Sequence, residues 1–66
     1  MAGERLIRLP AVLDMTGLSR SEVYRRASAG EFPRPVSLGE RQSRWREREV
    51  QTWIRARIAE RDKLAA

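Results

Sequence analysis

Apolar residues fall along this chain in short clusters, set apart by turn-forming residues, and the period changes from one cluster to the next. Leu6-Ile7-Arg8-Leu9 reads as a short strand or an extended lead-in. Pro10 suits the first turn of a helix, where a missing N–H costs nothing, and predicts a short helix over about Pro10 to Met15. Val12 and Leu13 are its expected buried residues. Gly17 ends it, at a position where a left-handed turn is easiest.

The next helix has agreeing start and stop signals. Ser19 is a good N-cap, and Glu22 three residues on completes a capping box. Leu18 before the cap and Val23 at the fourth helical position form a hydrophobic staple. Gly30 closes the helix, with Arg25 and Arg26 near its negative end. With Val23 at the centre of the inner side and about 100° per residue, Ala27 falls inside. Ser21, Tyr24, Arg25 and Ser28 then fall on the far side, and Arg20 lies at the edge.

Phe32-Pro33-Arg34-Pro35 forbids helix and forces an extended path. Val36-Ser37-Leu38 alternates like a strand, Gly39-Glu40-Arg41-Gln42 is a turn, and Ser43-Arg44-Trp45 returns as a second strand. The last helix runs from about Glu47 towards Lys63, with Val50, Trp53, Ile54 and Ile58 on one face. Trp45 and Val50 staple its start, although Arg46 is a poor cap. The spacing and apolar neighbours of Trp45 and Trp53 make them core residues rather than stacking platforms for single strands. From Arg55 onward the charged helix end is too short for a coiled coil and reads as a solvated face or a weak partner contact.

Sixty-six residues make one domain, with 1–4 and 62–66 as frayed tails. The chain has neither Cys nor His, which excludes disulfides and a structural zinc site. No glycine-rich phosphate loop and no cluster of acids is present, so nothing suggests an enzyme, a cofactor or a small-molecule substrate. No apolar run is long enough to cross a membrane, and the N-terminus leads into no secretory signal; the cytoplasm is the expected compartment. The net charge of +5 rests on 13 Arg against one Lys. Arg offers a planar fork suited to phosphate and guanine edges, but a GC-rich genome would give the same bias.

Arg20 opens its helix with a cation, against the helix dipole, at a cost of roughly 0.3–1 kcal/mol. An arginine at the leading end of a helix is where a groove-reading side chain belongs. Ser19, Arg20, Ser21, Tyr24 and Arg25 therefore form the candidate DNA-binding set on this helix, with Arg41 and Arg44 on the hairpin. Two plainer readings stand beside this one. Tyr24 could be half-buried against the hairpin with its hydroxyl exposed. The hairpin arginines, Arg34 included, could serve to keep an exposed edge strand from aggregating.

Residues scattered through nearly the whole chain carry a family resemblance. They are Leu6-Ile7-Arg8-Leu9-Pro10, Thr16-Gly17-Leu18-Ser19-Arg20-Ser21, Tyr24-Arg25 and Ala29-Gly30-Glu31-Phe32-Pro33, followed by Leu38-Gly39, Trp45-Arg46, Glu49-Val50 and Trp53-Ile54. Over about residues 5 to 58 the chain resembles the AlpA-type regulators of phages and prophages, within the wider excisionase and MerR-like winged-helix group. The resemblance implies a mainly α fold with a small β-hairpin, a winged helix-turn-helix, that binds duplex DNA and regulates prophage genes. It matches Arg20, Ser21, Tyr24 and Arg25 to the recognition helix and Arg41 to the wing. Arg26 and Ala27 depart from the pattern, standing where bulkier apolar residues are common, and Ser43-Arg44 replaces a small or apolar pair.

The expected mechanism is entry of the Ser19–Ala29 helix into the major groove. Arg20 and Arg25 would donate to guanine edges or phosphates, Ser21 would read a base or a nearby phosphate, and Tyr24 would hold the backbone. One such module buries only roughly 600–1,000 Å² on DNA, so self-association or several copies on repeated sites are expected. The competing readings are an excisionase-like protein that bends DNA, an antirepressor-type module binding an acidic protein, and an RNA binder.

Overall fold

The computed structural model describes residues 3–65. In chain order the elements are β1 (Leu6–Ile7), α1 (Leu9–Thr16), α2 (Arg20–Ser28), β2 (Val36–Ser37), β3 (Ser43–Arg46) and α3 (Glu47–Ala65). This is the mainly helical winged helix-turn-helix that the pattern predicts, with one addition. The lead-in becomes a strand, so the hairpin is part of a three-stranded antiparallel sheet in the order β1-β3-β2. Ile7 lies opposite Trp45 and Val36 opposite Arg44.

Pro10 sits in the first turn of α1 as expected, and the helix extends one residue further at each end than the sequence suggests. At its far end the Thr16 hydroxyl donates to the Val12 carbonyl at 2.8 Å and accepts from the Leu18 N–H at 3.2 Å. Gly17 then turns the chain with φ +73°, its N–H donating to the Leu13 carbonyl. A β-carbon would be strained there, so glycine sets the angle between α1 and α2.

The capping box of α2 is complete: the Glu22 N–H donates to Ser19 Oγ at 3.2 Å, and the Ser19 N–H donates to the Glu22 carboxylate at 3.0 Å. At the other end the Glu31 N–H donates to the Arg26 carbonyl at 2.8 Å across Gly30, whose φ is +77°. That six-residue closure turns the chain away from the helix.

The core consists of Ile7, Val12, Val23, Ala27, Phe32, Trp45 and Val50. Val12, Val23, Trp45 and Val50 are fully buried, while Leu13, Leu18, Trp53 and Ile54 pack partly exposed around them. Two indole N–H groups fix the extended Phe32-Pro33 segment. Trp45 Nε1 donates to the Pro33 carbonyl at 3.1 Å, and Trp53 Nε1 donates to the Glu31 carbonyl at 2.7 Å. Phe32 also meets the Trp53 ring edge-on at 4.9 Å. Both tryptophans thus act as core residues whose polar tips hold a linker that has few backbone bonds of its own.

β3 runs into α3 without a loop. With no good cap residue at Arg46, the Glu47 N–H instead donates to the Arg5 carbonyl at 2.9 Å. Of the residues expected to fray, Met1, Ala2 and Ala66 lie outside the described residues. Glu4 makes a bidentate pair with Arg46, and α3 continues to Ala65. From Arg55 onward every described residue of α3 is exposed, including Ile58, so the apolar stripe of this helix outruns the body it packs on.

Candidate nucleic-acid interface

α2 buries Val23 and Ala27 and turns Ser19, Arg20, Ser21, Tyr24, Arg25 and Ser28 outward. The Ser19 hydroxyl accepts the capping bond of the Glu22 N–H and keeps one acceptor lone pair. Tyr24 is the pivot of this surface. Its ring meets Trp45 edge-on at 5.9 Å, and the Arg20 guanidinium lies 6.0 Å from its centroid. At 39% exposure it is both a packing residue against the hairpin and a surface residue, so the two readings of Tyr24 describe one placement.

A recess lies on each side of Tyr24. The larger, an open cleft of about 720 Å³, is bounded by the start of α1, by α2 and by the hairpin. Arg8, Arg20, Arg41 and Arg44 all line it, over a floor that includes Leu13 and Trp45. The smaller is formed by Tyr24, Ala27, Ser28 and Arg34. The cleft therefore brings Arg20, Tyr24, Arg41 and Arg44 together. Ser21 and Arg25 line neither recess and project from the outer side of α2.

Four polar residues at these recesses stand outside the sequence-derived set: Arg8, Ser28, Arg34 and Ser43. Arg8 was read only as part of a strand or lead-in. It is the N-cap of α1 and lines the cleft beside the hairpin, since continuing the register that sets Ile7 against Trp45 brings Arg8 next to Arg44. Ser28 was placed on the outer face and borders the smaller recess. Neither position could be found from local sequence, because each depends on how α1 and the hairpin fold back beside α2.

Arg41 has the backbone φ of +58°, the only positive value at a described non-glycine residue. The left-handed region costs an ordinary side chain about 1 kcal/mol or more relative to glycine. The hairpin turn around it is closed by the Leu38 N–H donating to the Gln42 carbonyl at 2.7 Å. A strained position thus carries a cation into the cleft.

Charge is partitioned across the molecule. Among the described residues every ion pair lies on the lead-in to β1, on the β3–α3 junction, or on α3: Arg46 with Glu4 and Glu49, Arg5 with Glu47, Arg57 with Glu60, and Arg61 with Asp62. No carboxylate lines the cleft, and none pairs with its four arginines. The Glu22 carboxylate, the nearest in sequence to Arg20, is committed to the Ser19 N–H, which holds it below the ordinary glutamate range. The cleft's four arginines are therefore left without an ion-pair partner among the described residues, a concavity suited to an anion.

The sequence model of the family described as "Prophage CP4-57 regulatory protein (AlpA)" matches residues 5–58. The chain belongs to the AlpA family. An uncharacterized protein of Enterobacteria phage P4, ORF88, is 47% identical over 58 residues, which covers 88% of this chain and 66% of the relative. The AlpA chain thus spans slightly less than two thirds of that relative's length. The matched span contains all of the elements up to the middle of α3, and with them both recesses. This is a regulatory family rather than one defined by catalysis. Among the described residues no group of acids is arranged to hold a metal ion, and no helix is long and apolar enough to cross a membrane.

Both departures from the family pattern now have a physical setting. Ala27 is buried at 4% exposure, so a small residue closes the inner side of α2. Beside it the Arg26 Nε is buried without a hydrogen-bond partner. Arg44, in place of a small or apolar residue, curls its guanidinium back to the Ser43 carbonyl at 2.9 Å and lines the cleft.

Proposed function

We infer that this AlpA-family protein is a transcriptional regulator that binds duplex DNA with sequence preference, acting in the cytoplasm. α2 enters the major groove, and the hairpin lies along the adjoining backbone. Arg20 and Arg25 donate to guanine edges or phosphates, and Ser21 reads a base or a nearby phosphate. Tyr24 braces the helix against Trp45 while its hydroxyl reaches the backbone, and Arg41 and Arg44 meet phosphates. Ser19 caps the helix and sets its entrance at the groove.

One observation carries this reading. Arg20 and Tyr24 of α2 line one cleft with Arg41 and Arg44 of the hairpin, and none of these three arginines has an ion-pair partner among the described residues. A single module covers only roughly 600–1,000 Å² of DNA, so binding by two or more copies on repeated half-sites follows.

Selection from random duplexes, repeated at two salt concentrations, tests the reading. The expected result is an enriched short motif, repeated at a spacing near one helical turn, whose affinity falls steeply with salt. Retention of no duplex even at low salt would exclude it.

A further inference from the structure

We propose that the cleft between the start of α1, α2 and the hairpin is a clamp for one backbone phosphodiester of the duplex, and that Arg8, Arg20, Arg41 and Arg44 close on it together. This rests on the duplex-binding reading above and assigns Arg20 to phosphate rather than to a base edge.

The four arginines come from four separate places: the residue before α1, the first turn of α2, the hairpin turn and β3. No local pattern would gather them, yet all four line one concavity with no acid among its walls. A base edge presents its acceptors in one plane at the bottom of a groove, and is met by one bidentate fork. A phosphodiester instead stands out from the duplex and offers charged oxygens that forks can approach from several sides.

The pose of Arg20 favours the second partner. Its guanidinium is drawn along α2 onto the Tyr24 ring, towards the cleft, rather than out from the helix beside Ser21 and Arg25. Arg41 gives an independent indication. An arginine occupies the left-handed position in the turn, where glycine would be easier, and it is a cleft residue. Local strain kept at a site that a simpler residue would relieve marks a functional constraint. Arg8, next to Arg44 by the continued β1–β3 register, has no ion-pair partner among the described residues.

The test compares the wild-type chain with Arg8→Ala and Arg41→Gly, using Arg55→Ala as a control that removes equal charge from the exposed part of α3. Each variant's fold is checked by its thermal melt, and Arg41→Gly, which relieves the turn, should melt no lower than wild type. On the selected duplex each cleft variant should lose roughly fivefold or more in affinity, with a shallower salt slope, by less than the roughly 0.9 that one whole phosphate contributes, and the preferred motif unchanged. Arg55→Ala should change little. A single neutral methylphosphonate walked along the duplex should reveal one position that weakens wild type more than it weakens Arg8→Ala or Arg41→Gly. Wild-type affinity and slope in either cleft variant, or a changed motif, would overturn the clamp and leave duplex binding standing. Failure of the wild type to bind any duplex would remove both.

Discussion

The ring of Tyr24 meets the indole of Trp45 edge-on, with 5.9 Å between centroids and 66° between planes. Trp45 is fully buried and its own N–H is fixed to the Pro33 carbonyl, so this contact seats α2 on the most rigid part of the sheet. Through it, the outer stripe of α2 and the hairpin arginines are held at one angle to each other. An aromatic pair of this kind contributes about 0.5–1.5 kcal/mol beyond the area it buries. Tyr24→Ala should therefore lower the unfolding free energy by at least that much and weaken duplex binding as well. Tyr24→Phe keeps the ring, so chemical denaturation should find stability within about 0.5 kcal/mol of wild type, with any loss confined to binding. Equal destabilisation by both variants would mean that the hydroxyl, not the ring, holds the helix.

Arg26 yields a prediction of opposite sign. Its Nε is buried and unpartnered, a condition that costs about 1–3 kcal/mol in a protein interior. Arg26 lines neither recess beside Tyr24, and its backbone carbonyl, which receives the Glu31 N–H, does not depend on the side chain. Arg26→Met keeps the length and the apolar stem while removing the stranded donor. It should stabilise the fold by about 1 kcal/mol and leave the preferred DNA motif unchanged. Urea unfolding beside duplex binding would check both halves, and a less stable variant would show that the guanidinium is satisfied by water.

These contrasts indicate which parts of the fold could be read from the sequence. The boundaries of α2 were legible because Ser19, Glu22 and Gly30 act within a few residues of themselves, and the prolines at 33 and 35 exclude helix locally. Pairing of β1 with β3 was not legible, since nothing in Leu6-Ile7 specifies a partner some forty residues away until Ile7 and Trp45 share a core. The same applies to the site. The outer stripe of α2 follows from periodicity alone, whereas Arg8 joins it only because α1 starts beside the cleft. That Trp45 is buried and Trp53 packs against the core was readable from their neighbours. Their use of Pro33 and Glu31 carbonyls was not, because an indole N–H carries no sequence signature of its partner.

The linker bonds can be weighed separately. Trp53→Phe keeps much of the packing against Phe32 but strands the Glu31 carbonyl, which water can reach because Glu31 is exposed. The expected loss is about 1 kcal/mol, the net worth of an ordinary hydrogen bond. Val50→Ala opens a cavity at a fully buried position and should cost more, about 2–3 kcal/mol, while Ile58→Ala on the exposed part of α3 should cost well under 1 kcal/mol. Denaturant midpoints for the three variants would establish the order. An Ile58→Ala variant as damaging as Val50→Ala, with a midpoint that depends on protein concentration, would reveal a self-association surface on α3.

Arg25 and Ser21 stand apart from the cleft on the outer side of α2, and they are the residues from which base reading is expected. Arg25→Ala should cost about 1–3 kcal/mol on the selected duplex and relax the motif at one or two base pairs. Arg8→Ala should weaken all sequences alike. Repeating the duplex selection with each variant separates the two behaviours. An unchanged motif with Arg25→Ala would move the reading of sequence elsewhere on the helix.

Acid should weaken the start of α2. The Glu22 carboxyl is held below the ordinary glutamate range first by the backbone N–H of Ser19, then by the Ser19 hydroxyl, with Arg26 and Arg25 adding attraction. The Glu4 carboxyl is lowered in the same direction by its hydrogen bonds to Arg46. A carboxyl with a depressed folded-state pKa stabilises the fold above its ordinary range. That contribution is lost as the pH falls through the ordinary range and on through the folded-state value. Glu22→Gln can still accept from the Ser19 N–H but cannot titrate. Its thermal midpoint should therefore fall less steeply with acidification than that of wild type, and Glu4→Gln should show the same sign where the lead-in to β1 is clasped to the end of β3. Because Glu22 fixes the entrance of the helix proposed to enter the groove, wild-type duplex affinity should drop in step with the acid transition. A profile as steep in the doubly substituted chain as in wild type would show that other carboxylates govern acid sensitivity.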